Sequence, residues 1–459
     1  MMGPRQVAQG ALFYEFSIED HVPSDHLLRG IDRFVDLSDM RRYLAPFYSS
    51  TGRPSVDPGL MIRMLIVGYA FGIRSERRLC EEVHLNLAYR WFCRLDLTDP
   101  VPDHSTFSKN RHGRFRDSDL FRHLFESVVA RCIAEGLVGG ETFASDASLI
   151  RADANKQYAA AKADWDPDLI DAQPVPRAVR EYLEVLDDAA FGAASEVEPK
   201  FTSFADPASQ WTGARKGPAF FAYSDNYLID TEHGVILDVE ATRSIRTAEV
   251  GATRMMIVRT RERFGLTPDR LAADTAYGSG EMLGWLTERQ IEPHIPVIDK
   301  SERRDGTFSN AEFRYDPESD EYTCPGGKAL KKYWRKMKTP RDGVSKDGFR
   351  RYYARQADCA AYALKERCCP NQPRRKIARH VHEAARDTAR RIVTTDAYAD
   401  ASRRRKKVEM LFAHLKRILR LDRLRLRGPN GAKDEFLLAA TAQNLRKLAK
   451  LIPGVSAPA

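Results

Sequence analysis

Between Leu60 and Ile73 the chain is almost wholly apolar, broken by Arg63, and Ser55 and Pro58 stand just ahead of the run. A capping residue and an early proline before an apolar run predict a buried helix. The run is too short to span a bilayer, which takes about 20 residues. Shorter helical pieces follow from Ser75 to Arg94. The stretch from Pro102 through Asp103, His104 and Ser105 to Arg114 then offers a capped start with Lys109, Arg111 and Arg114 behind it. Short helices closing on a polar, basic one predict a helix-turn-helix-like DNA reader within residues 1–140, with Lys109 and Arg111 toward DNA.

The period changes at Glu141. Thr142 to Ser148 reads as a short strand ending in Asp146, and a polar, Ala-rich helical insertion covers about 153–198. Residues 220–230 and 235–242 form a hairpin joined at His233-Gly234. A helix over 248–264, a strand ending in Asp274, a helix over 280–289 and a strand over 291–298 come next. After a long basic insertion, helices resume at about 402–421 and 433–451. Without the insertions, this order predicts an α/β fold with a central mixed sheet and helices on its faces. The expected domains are 1–140, helical and DNA-binding; 141–298, the first part of the core; 299–395, the basic insertion; and 396–459, the rest of the core.

Composition changes the picture little, since 43% hydrophobic and 30% charged residues suit a globular protein. No stretch reads as a membrane span, and the first residues lack the apolar core of a signal peptide, so a cytoplasmic, nucleoid-associated protein is expected. Charge changes it more. Residues 401–427 hold eleven Lys or Arg against Glu409 and Asp422, which accounts for the whole net charge of +9. Residues 331–355 add ten basic against two acidic residues. Such concentrated charge attracts phosphate backbones.

Seven cysteines do not make a disulfide scaffold at this length. Cys80, Cys93 and Cys132 sit in apolar sequence as small hydrophobes. Cys324, Cys359, Cys368 and Cys369 crowd into one polar segment. A zinc ion there would take Cys324, Cys359, Cys368 and either Cys369 or a histidine such as His380 or His382. Adjacent Cys368 and Cys369 fit one tetrahedral ion poorly, so a basic subdomain without zinc is the favoured expectation.

Three carboxylates carry the candidate chemistry. Asp146 and Asp274 end strands, where ligands of such sheets gather. Glu409 stands alone among Arg403, Arg404, Arg405, Lys406, Lys407 and Lys416. Brought to one point, the three acids would repel each other and need cations. Two magnesium or manganese ions fit, because they take hard oxygen ligands and keep positions open for phosphate and water. Asp146 would bridge both ions, with Asp274 and Glu409 completing one each. Ions about 4 Å apart activate a water or a 3′-hydroxyl and stabilise the leaving oxygen. On the Glu409 helix, Val408, Leu411, Leu415 and Ile418 form an apolar stripe, with Arg405, Glu409 and Lys416 on another face.

Asp57-Pro-Gly-Leu-Met-Ile-Arg, Tyr223-Ser-Asp-Asn-Tyr-Leu-Ile-Asp, Ala273-Asp-Thr-Ala-Tyr-Gly and Val408-Glu-Met-Leu-Phe-Ala-His-Leu-Lys together resemble the DDE transposases of bacterial insertion sequences. That family's third-acid motif is Tyr, two residues, Arg, three residues, Glu, six residues, Lys. Arg405, Glu409 and Lys416 match it in register, while Ser402 takes the Tyr position. The resemblance implies a ribonuclease-H-like core, metal-dependent cleavage at the element's terminal inverted repeats, and transfer of 3′ ends to target double-stranded DNA by a homo-oligomer. Two other readings share these residues. One is a DNA-binding descendant that no longer cuts, and the other is a metal-dependent nuclease that hydrolyses without joining.

Overall fold

The structure, a computed structural model, describes residues 16–49, 51–52, 54–161, 164, 175–192, 199–213, 217–298, 305–334, 343–345 and 348–452. It divides into two compact units. The first comprises Met1–Gly140, Ser145–Thr267 and Lys406–Ala459, and the second Glu141–Ala144 and Pro268–Arg405.

The first unit opens with helices only. The long apolar run forms helix Pro58–Ala70, capped by Asp57 rather than Ser55: its Oδ2 accepts the N–H of Leu60 at 3.0 Å. Pro58 then falls at the first helical position, where its missing N–H costs nothing. Asp103 caps helix His104–Arg111 in the same way. The C-terminal helix, Pro429–Leu451, is buried along most of its length. It packs against helices Leu27–Asp32, Pro58–Ala70 and Leu120–Ala134, and a Cβ at Gly30 would lie 2.9 Å from the Ala449 side chain. The boundary expected at residue 140 therefore does not separate the N-terminal helices from the C-terminal part of the chain. A helix apolar on most faces needs partners on most faces.

The strands of this unit are β1 from Ser145 on (the whole strand being Thr142–Arg151), β2 (Ala159–Ala161), β3 (Phe201–Ser203), β4 (Gln210–Gly213), β5 (Ala219–Asp230) and β6 (Ile236–Arg243). β4, β5 and β1 are neighbours in that order, and β6 pairs with β5. β5 and β6 form the expected hairpin, antiparallel from Tyr223↔Arg243 to Ile229↔Ile236, with Gly234 at φ +70° in the turn. β2 and β3 pair separately. β1 does not stop at Asp146 but runs on to Arg151, so Asp146 lies mid-strand. Asp238 on β6 joins the helices Leu120–Ala134 and Arg246–Phe264 by ion pairs with Arg122 at 2.6 Å and Arg259 at 2.7 Å. Of the expected helical insertion, the described part holds one helix, Arg177–Glu184. Residues 162–163, 165–174 and 193–198 lie outside the described residues.

In the second unit, Thr142–Ala144 of β1 pairs in parallel with β7 (Arg270–Ala272), which pairs in parallel with β8 (Glu292–His294). Antiparallel and parallel pairing together make the mixed α/β architecture. The basic insertion contains an element the sequence did not reveal. Five short strands, β9 (Arg314–Asp316), β10 (Glu321–Thr323), β11 (Ala329–Lys331), β12 (Phe349–Ala354) and β13 (Lys376–His380), form an antiparallel sheet in the order β13-β12-β11-β10-β9. Most are three residues long, too short for alternation to be read. The helix carrying Glu409 is Asp396–Arg417, beginning six residues earlier than expected. Among the described residues no helix is long and apolar enough to cross a membrane.

Candidate active site

Asp146 and Ser148 stand two apart on β1 and therefore share one face of the strand. Both are half-buried. Lys416 reaches this face, its Nζ donating to Ser148 Oγ at 2.7 Å. Burial holds the Lys416 pKa below the usual lysine value, while nearby Asp225 and Asp422 oppose that shift. Glu409 is exposed and lies seven residues before Lys416, which is two helical turns and about 10 Å along the axis on the same face. The first unit thus brings β1, with Asp146, and the helix of Glu409 and Lys416 onto adjoining elements.

The helix is seated by Val408, Phe412, Leu415 and Leu419, all buried. Phe412 stacks on Tyr227 of β5 with ring centroids 4.7 Å apart. The Tyr227 hydroxyl donates to Gln443 at 3.0 Å, and Gln443 donates in turn to the Leu411 carbonyl at 2.8 Å. This corrects the expected stripe: Val408 and Leu415 belong to it, but Ile418 is 50% exposed and Leu411 only half-buried. Both spacings, expected and observed, keep the helical period, but the helix ends at Arg417, so Ile418 lies in the turn beyond it and faces solvent.

Asp274 belongs to the second unit. It lies two residues beyond β7, exposed, and its Oδ1 accepts the N–H of Ala276 at 2.7 Å to cap a single helical turn.

Sequence reasoning missed Asp225. It sits at the centre of β5, fully buried, and among the described residues neither carboxylate oxygen has a donor at good hydrogen-bond geometry. Burial pushes its pKa well above the usual carboxylate value, with Tyr227 and the Lys416 ammonium pulling the other way. The signal was present in the polar triplet Ser224-Asp225-Asn226 within an otherwise apolar strand. A buried acid without a partner is costly and asks for a reason.

The expected DNA-binding cations divide by environment. Arg403 and Arg404 are exposed and pair with Asp400 at 3.3 and 2.7 Å. Lys406 and Lys109 are exposed, and Arg405 is half-buried. Lys407 donates to the carbonyls of Thr231 and Glu232 at 2.6 and 2.5 Å, closing the β5–β6 turn. Arg111 is not a surface cation: it is buried and ion-paired with Glu76, a structural role set by the need to neutralise a buried guanidinium.

Cys359, Cys368 and Cys369 lie in the core of the five-stranded sheet with Phe313, Tyr352 and Ile377, and Cys324 packs against its rim. Burial pushes the Cys368 thiol up to about 12. Among the described residues no three His, Cys, Asp or Glu side chains are gathered closely enough to hold a metal ion.

Residues 16–113 match the model described as Transposase domain (DUF772), and residues 169–445 match the Transposase DDE domain. No curated protein and no solved structure matches the chain. The chain belongs to the transposase DDE domain family. It is a transposase, of a family of nuclease-type phosphoryl-transfer enzymes that act on DNA and generally use divalent metal ions.

Proposed function

We propose that this transposase binds the terminal inverted repeats of its own element, cleaves there, and transfers the 3′ ends to target DNA as a homo-oligomer. Asp146, Asp274 and Glu409 are its metal-binding carboxylates in this reading, on a ribonuclease-H-like core. The observation that carries it is the Lys416–Ser148 bond, which ties the helix of the third acid to the strand of the first. Strand order β4-β5-β1, with β7 and β8 continuing in parallel from β1, supports the ribonuclease-H-like topology.

The donor chemistry fits two magnesium or manganese ions, since all three groups are hard oxygen donors and two of them, Asp274 and Glu409, are open to solvent. Bound ions would activate the attacking water or 3′-hydroxyl and stabilise the leaving oxygen. The protein's own contribution is position. Lys416, half-buried and fixed on Ser148, offers its ammonium to a scissile phosphate, where a positioned cation stabilises developing charge without reorganising. Arg403, Arg404, Arg405 and Lys406 extend the same charge along the helix toward flanking phosphates.

The test is cleavage of labelled DNA carrying the element's ends, with magnesium, with manganese, and after chelation. Release or joining of 3′ ends with either metal and none after chelation is expected. Cleavage that survives chelation sinks the metal-carboxylate reading. Binding without cutting under any metal favours a DNA-binding descendant. Hydrolysis without joining favours a nuclease.

A further inference from the structure

The segment after the Glu409 helix reads Arg420-Leu-Asp-Arg-Leu-Arg-Leu-Arg427. Its leucines turn inward, Leu421 and Leu424 being buried, and Arg420, Arg423, Arg425 and Arg427 are exposed. The end of β1 holds it in place: Arg151 N–H donates to the Asp422 carbonyl at 3.1 Å, and Leu424 N–H donates to the Arg151 carbonyl at 2.7 Å. Facing it within the same unit are Arg74 and Arg78 at the start of helix Glu76–Leu85. Buried Glu435 joins the two walls, accepting the N–H groups of Arg425 and Leu426 at 2.6 and 2.7 Å and pairing with Arg74.

Two depressions lie between the walls, and a third adjoins them at Arg423. The first, about 280 Å³, shares Arg74 and Arg425 with the second, about 610 Å³. The second shares Arg423 with the third, about 340 Å³, where the lining changes to Arg151, Lys156, Trp211 and Phe220. Some of these cations are already engaged, Arg78 with Glu82 and Arg423 with Asp153. No ion pair to the side chain of Arg420 or Arg425 is found among the described residues. Arg420 also has φ +55°, a left-handed backbone that non-glycine residues seldom take. Gly72, φ +69°, lets the facing wall approach, since a Cβ there would lie 2.9 Å from the Ile418 carbonyl.

We infer that this groove is a track for the sugar–phosphate backbone of duplex DNA, gripped by Arg420 and Arg425. The inference rests on the transposase reading, and extends it beyond the three acids and the Glu409 helix. A compact anion would need one closed pocket. An elongated groove with repeated guanidinium groups fits a polyanion whose charges recur along its length.

The experiment uses the full chain and fluorescence anisotropy of a labelled duplex of arbitrary sequence across a series of salt concentrations. The test variant carries Arg420→Asn, which tolerates the left-handed backbone, together with Arg425→Ala. A control removes the same charge at Arg261→Ala and Arg263→Ala, both exposed in the last turn of helix Arg246–Phe264. The expected result is weaker binding by the test variant and a log–log salt slope shallower by about 0.9 for each phosphate no longer neutralised, with the control unchanged. Wild-type affinity and slope in the test variant overturn the track and leave the transposase reading standing, and so does an equal loss in the control. No duplex binding by the wild type overturns both. If the double variant melts early, Arg425→Gln alone carries the test, with the slope expected to fall by about 0.9.

Discussion

At the scale of single residues, burial sets the chemistry more than sequence neighbours do. Asp434, in the C-terminal helix, has a carboxylate oxygen with no hydrogen-bond partner, and burial pushes its pKa up to about 7 despite Arg111, Arg116 and Lys433 nearby. An acid raised in the fold stabilises it fully below its unfolded value of 3.8 and loses that contribution as pH rises through about 7. Asp434→Asn is therefore expected to flatten the fall in melting temperature between about pH 4 and pH 7. An unchanged fall, followed by calorimetry, would locate the pH sensitivity elsewhere, Asp206 (raised to about 6 by burial) being the next group to examine. The same contrast explains what the sequence revealed. Asp146, Asp274 and Glu409 stand out in the sequence because each is an acid closing an expected strand or standing inside a basic run. Asp225 does not, because its meaning lies in being fully buried without a donor, and burial is a property of the folded chain.

At the scale of elements, the seating of the Glu409 helix is the decisive feature. Phe412 is buried and stacked on Tyr227, whereas Ile418 is half-exposed. Phe412→Ala should cost about 3–5 kcal/mol and lower cleavage by displacing Glu409. Ile418→Ala should stay within about 0.5 kcal/mol. Chemical denaturation compares the two, and equal costs would restore the stripe expected from the sequence. Long elements were legible: the helices Pro58–Ala70, Arg246–Phe264 and Pro429–Leu451 and the β5–β6 hairpin lie within a few residues of where periodicity placed them. Short ones were not. The strands of the basic insertion are held by pairing and by a core of Phe313, Tyr322 and Tyr352, neither of which leaves a periodic mark in three residues. Asp57 was passed over as a cap for a similar reason, since Ser55 is an equally good capping residue until the Leu60 N–H is placed.

At the scale of the molecule, the chain does not divide where composition changes. The N-terminal helices share a unit with the C-terminal helix, and the acids come from both units, Asp146 and Glu409 from the first and Asp274 from the second. Domain boundaries drawn along the sequence could not show this, because the C-terminal helix finds its partners some 300 to 400 residues upstream. The family was legible nonetheless, since its motifs are local while the packing is not.

The most direct test of the account is strand cleavage at the element's ends by wild type and Glu409→Gln, side by side with binding of the same DNA. The substitution keeps size and helix packing and removes one carboxylate charge. The account predicts that the variant binds the ends like wild type and neither releases nor joins 3′ ends with magnesium or manganese. Equal cleavage by the two proteins would contradict it, and would mean that Glu409 is not a ligand of the reacting centre.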